Sequence, residues 1–84
     1  MGTVIISFKV LPEDTSIDLK KLQEAIAKKV QVRDAAEEPI AFGLKALVFK
    51  VFVEDTEGGS EAVEEKVRHT PGVAQIEITG MDRI

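Results

Sequence analysis

The stretch "EEPIAFGLKALVFKVFVED", residues 37–55, decides the fold. From Leu44 to Glu54 its apolar side chains alternate. Leu47, Phe49, Val51 and Val53 share one face, and Leu44, Val48 and Phe52 make the other face partly apolar. Period two with β-branched and aromatic residues specifies a strand. A strand with apolar residues on both faces belongs in the middle of a sheet. What precedes it cannot be more of the same strand. Pro39 has no backbone donor, and Gly43 weakens a strand interior. The reading is therefore an irregular edge strand over residues 31–40, ending at a proline that needs no ladder partner, then a turn at "AFG". That turn holds a large aromatic, Phe42, where a small core is not assured of covering it.

Working outward, "TVIISFKVL" (residues 3–11) places Val4, Ile6, Phe8 and Val10 on one face and Ile5 on the other, which predicts a second central strand. After "LPEDTSID", a helix is expected over 19–30. Asp18 is its N-cap, Ile17 and Leu22 stand at staple positions, and Leu19, Leu22, Ile26 and Val30 form one stripe. Beyond the long strand, "DTEGGS" breaks the chain and Ser60 is positioned to cap a short helix over about 60–69, with Val67 inward. "HTPG" turns into a fourth strand, "VAQIEIT" (residues 73–79), and "GMDRI" closes the chain as a tail. The order β-α-β-β-α-β predicts an α+β protein, a ferredoxin-like sandwich in one domain over residues 1–84. Two right-handed crossovers would interleave into a four-stranded antiparallel sheet with both helices on one face. The richest strands, first and third, take the centre. Leu22, Ile26, Leu47, Phe49, Val51 and Ile76 are the expected core. Ile5, Val48 and Phe52 lie on the uncovered face.

The 84 residues carry 15 acidic and 11 basic side chains, a net charge of −4, with no cysteine, tyrosine or tryptophan. Scattered bases and few aromatics argue against nucleic-acid binding. The missing cysteines exclude disulfides and thiolate metal sites and fit an intracellular setting. No apolar run reaches the ~18 residues of a membrane span. Nothing assembles an active site. His69 stands alone at a helix end, a poor metal ligand without partners. Ser7, Ser16 and Ser60 lack a base. "EGGS" before a helix could cradle an anion, but Glu57 and Glu61 would repel it. Glu37 and Glu38, neighbours in an extended segment, point to opposite faces. No cofactor or metal site is expected. Two residues stay unexplained by folding alone: Phe42 in its turn, and Arg83 next to the chain end.

"PIAFGLKALVFKVFVED" and "GVAQIEITGMDRI", with "GTVIISFKVLPE" at the start, closely resemble the elongation factor 1-beta family of the archaeal type. They are also similar to the C-terminal exchange domain of the eukaryotic elongation factor 1 exchange subunits. The resemblance runs the length of the chain and implies the same ferredoxin-like fold. It implies guanine-nucleotide exchange on the GTPase elongation factor 1-alpha, without covalent chemistry, by a cytoplasmic protein in translation. It also implies partner contacts by Ile40, Phe42 and Gly43 on the second domain of the GTPase, and by Met81, Arg83 and Ile84 near its magnesium and phosphate site. The eukaryotic relatives have lysine where Arg83 stands, and a planar guanidinium is not an ammonium. A monomer without nucleic-acid or membrane partners is expected. Two rival readings fit the fold alone: a regulatory module binding a small molecule, and an RNA-binding sheet.

Overall fold

The structure is a computed structural model and describes residues 2–54 and 59–84. Its elements are β1 (Thr3–Pro12), α1 (Leu19–Ala27), β2 (Val32–Pro39), a 3-10 turn (Ala41–Gly43), β3 (Lys45–Glu54), α2 (Gly59–Arg68) and β4 (Val73–Arg83). The strands form one antiparallel sheet in the order β2-β3-β1-β4, with the two apolar strands central. This is the expected ferredoxin-like α+β sandwich. Residues 55–58, most of the expected "DTEGGS" break and part of the "EGGS" anion motif, lie outside the described residues.

The core follows from the strand periodicities. Val4, Ile6, Phe8 and Val10 of β1 are buried, as are Leu47, Phe49 and Val51 of β3. In the antiparallel register Phe8 lies directly opposite Phe49, and their rings stack with centroids 5.5 Å apart. Directly opposed side chains share a face, so this pair fixes which side of the sheet receives the helices. Leu19, Leu22 and Ile26 of α1 and Val63 and Val67 of α2 complete the cluster. Ile76, expected in the core, is only partly buried against it, because β4 is an edge strand.

Asp18 caps α1 as expected, its Oδ1 accepting from the Lys20 and Lys21 amides at 2.9 and 3.4 Å. The helix ends at Ala27 rather than at residue 30. The Lys29 and Val30 amides both donate to the Ile26 carbonyl, which closes a turn there, and Val30 still packs on the core from outside the helix. Helix α2 begins at Gly59, so Ser60 lies inside it instead of capping it. Gly72, at φ +95°, makes the turn into β4, and a Cβ there would touch Ile17 and Leu22 at 3.5–3.6 Å.

Both edge strands are irregular. In β2, Arg33 opposes Lys50 and Ala36 opposes Val48, so Asp34 and Ala35 together stand against Phe49. Asp34 absorbs this bulge at φ +53°, in the left-handed region that Asp tolerates better than most residues. The larger departure from expectation is in β4. The strand does not stop at Thr79: it runs to Arg83, and the Ile84 amide donates to the Thr3 carbonyl at 2.9 Å. "GMDRI" is paired edge strand, not a tail. Its residues have weak strand propensity, but the free edge of β1 from Val4 to Ser7 supplies the hydrogen-bond ladder, and tertiary pairing overrides local preference.

Candidate partner-binding surfaces

The expected contact residues fall into two groups at opposite ends of the sheet. The first is built on the β2–β3 turn. The Ile40 amide donates to the Leu44 carbonyl at 2.9 Å, and the Leu44 amide returns to the Ala41 carbonyl at 3.2 Å. To fit within this closure, two successive residues take left-handed backbone: Phe42 at φ 60°, ψ 32°, and Gly43 at φ +75°. A Cβ on Gly43 would meet nothing within 4 Å, so its glycine serves the backbone angle and not a lack of space. For Phe42 the same conformation costs roughly 1–2 kcal/mol. Its side chain recovers none of it, being 95% exposed. Ile40 is half-buried and acts as the frame of the turn rather than its tip. Ion pairs Lys45–Glu37 and Lys9–Glu38, both at 3.8 Å, brace the hairpin on its two faces.

Beside this turn is a cleft of about 250 Å³, lined in part by Pro12, Asp14, Ile17, Glu37, Gly43 and Lys45. The sequence reading did not single it out. Its rim is the Asp14–Ser16 turn, in which Asp14 Oδ1 accepts from both the Ser16 hydroxyl and the Ser16 amide. The hydroxyl first, and then the amide, hold the Asp14 carboxyl below its ordinary range. The spacing Asp-x-Ser was the available signal.

The second group is the end of β4. Met81 is 51% exposed and Ile84 76% exposed. Arg83, also exposed, lies opposite Val4, which in turn opposes Val53 near the end of β3. Phe42, by contrast, precedes the start of β3. The ten residues of β3 separate the two groups by about 30 Å at ~3.3 Å per residue, along a molecule 42 Å in its longest dimension. The expected contact residues therefore form two separate groups and not one site.

The other candidates stay bland. His69 Nε2 lies 2.9 Å from Glu65 Oε2 on an exposed helix end. The Phe52 ring, on the sheet face opposite the helices, lies under the Arg33 guanidinium, 5.5 Å from the ring centre. Among the described residues no helix is long and apolar enough to cross a membrane.

The sequence matches the family model of the EF-1 guanine nucleotide exchange domain over residues 5–84. The chain belongs to the EF-1 guanine nucleotide exchange domain family. It is 45% identical to an elongation factor 1-beta of Staphylothermus marinus and 44% identical to one of Methanothermobacter thermautotrophicus, with 100% of this chain and 99% of each relative covered. An Aeropyrum pernix elongation factor 1-beta is likewise 44% identical over the same shares. Membership assigns the chain to guanine-nucleotide exchange in translation elongation, and neither rival, the small-molecule module or the RNA-binding sheet, is favoured.

Proposed function

We propose that this exchange domain promotes replacement of GDP by GTP on elongation factor 1-alpha by gripping the GTPase at two places, the Phe42 turn and the end of β4. The observation that carries the reading is Phe42. A protein gains no stability from an aromatic side chain left 95% in water on a left-handed backbone. Strain of that kind persists where the surrounding structure imposes it, and it clusters at functional positions. An exposed, pre-positioned aromatic is a suitable anchor for a partner's pocket. The second domain of the GTPase is its proposed receptor.

The end of β4 does the other half of the work. A factor that binds the GDP-loaded and empty GTPase equally cannot shift the equilibrium between them. Something must favour the empty form. Arg83, near the end of a strand, brings a cation to where the GTPase holds magnesium and the phosphates, with Met81 and Ile84 packing around it. Because Arg83 is hydrogen-bond-paired strand rather than loose tail, less entropy is lost when it is placed. A ~1000-fold acceleration would need roughly 4 kcal/mol off the release barrier. No bond is made or broken in this chain. The whole of residues 1–84 is the exchange domain, working in the cytoplasm as a monomer without direct nucleic-acid contact.

The test is release of fluorescently labelled GDP from elongation factor 1-alpha, chased with GTP, with and without this protein. Saturable acceleration is expected. Release at the spontaneous rate, or tight binding of labelled RNA that weakens steeply with salt, would favour a different role.

A further inference from the structure

Among the described residues there are four exposed large hydrophobics: Phe42, Ile78, Met81 and Ile84. Three of them lie in the last seven residues. Two of these three, Ile78 and Met81, are an odd number of residues apart, and in a regular strand they would point to opposite faces. They do not. Ile78 lies opposite Phe8 and Gly80 opposite Ser7, so Thr79 is an extra residue taken up by a bulge. The Thr79 hydroxyl reaches the Ser7 carbonyl at 3.3 Å. Beyond the bulge Met81 opposes Ile6, Asp82 opposes Ile5, and Arg83 opposes Val4. Ile6 and Val4 are core residues under the helices, and Ile5 is on the open face. Without the bulge, every one of these side chains would change sides.

We infer that the Thr79 bulge sets the facing of the C-terminal contact, gathering Ile78, Met81 and Arg83 into one strip on the helix side of the β4 edge, and that the GTPase docks along this strip. The inference rests on the exchange reading and on a functional Arg83. The strip has the character of an interface edge. It is apolar for two positions, it ends in a cation, and it continues directly into the proposed contact around Arg83. The opposite face carries Asp82 at the same level, so the two sides of the strand end differ in sign. A guanidinium presented from the open face would meet the GTPase alongside Ile5 and Phe52 instead. Thr79 is a positioning residue here: it touches no nucleotide and acts through the facing of its neighbours.

The experiment moves the cation across the strand. Arg83→Ala should reduce the maximal exchange rate at least ~10-fold, and Arg83→Lys should restore most of it. Asp82→Arg added to Arg83→Ala returns a guanidinium one residue away but on the open face, and it should not restore exchange. Recovery to more than half the wild-type rate in that double variant would overturn the facing argument. Full activity of Arg83→Ala alone would overturn the reading beneath it, which is a distinct result. Circular dichroism and denaturant midpoints establish that each variant is folded. As an independent arm, Ile78→Ser, at a site 38% exposed, should raise the concentration for half-maximal exchange several-fold and leave the maximal rate alone. No change in that concentration would remove Ile78 from the strip.

Discussion

Phe42 and Gly43 show a backbone arranged against stability. Both take left-handed angles, but only glycine does so freely. Phe42→Gly should therefore hold or gain stability, by up to about 1 kcal/mol in denaturant titration, while GTPase binding weakens by about 1–3 kcal/mol, the range of an interface anchor. If stability collapses instead, Phe42 is a folding residue and the docking assignment fails. Gly43→Ala should lose about 1 kcal/mol from its φ of +75° alone, because its Cβ would enter open space. Asp14 offers a check on the neighbouring loop. The Ser16 hydroxyl, and after it the Ser16 amide, stabilise the carboxylate, so its folded pKa is depressed. A depressed carboxyl contributes stability that is present above its unfolded pKa and lost as pH falls through the folded one. Ser16→Ala should raise the Asp14 pKa towards the ordinary aspartate range, followed by NMR titration of its carboxyl carbon. An unchanged titration would mean that the amide alone sets it.

At the scale of elements, the sheet's centre was legible in the sequence and its edges were less so. β1 alternates cleanly and β3 carries apolar residues on both faces, which marks both as central strands with one face that the helices cover. The Asp18 cap was legible because its carboxylate acts within its own first turn. The last turn of α1 was overextended, since Val30 keeps the apolar stripe while the chain has already left the helix. "GMDRI" was misread as a tail because what makes it a strand is the free edge of β1, more than seventy residues away in sequence. Of the candidate contacts, Phe42 could be picked out as a misplaced aromatic, but the bulge that turns Met81 and Arg83 towards the helices leaves no local signature. Deleting Arg83 and Ile84 should consequently cost stability as well as exchange: about 1–2 kcal/mol for lost edge hydrogen bonds, read in urea. An unchanged urea midpoint would mean that these residues do not pair in solution.

The whole molecule is a short bar, 42 Å in its longest dimension, with one core and a proposed contact at each end. Because the core is small, its central aromatic pair is expensive to disturb. Phe49→Ala, which removes the ring stacked on Phe8, should cost roughly 3–5 kcal/mol, much of a small domain's total stability. A loss below about 1 kcal/mol would mean that this face of β3 is not the core. The sheet joins the two ends, so on the proposed reading the Phe42 turn and the end of β4 would meet the GTPase at a separation of about 30 Å. Sites that far apart, each meeting a different part of the GTPase, should contribute independently. The central claim is thus most directly tested by titrating wild-type protein, Phe42→Ala, Arg83→Ala and the double variant into elongation factor 1-alpha loaded with fluorescent GDP. Phe42→Ala should raise the half-maximal concentration with little change in maximal rate, and Arg83→Ala should lower the maximal rate with little change in that concentration. The double variant should show both effects together. GDP release at the spontaneous rate with saturating wild-type protein, or full activity in the double variant, would contradict the two-ended account.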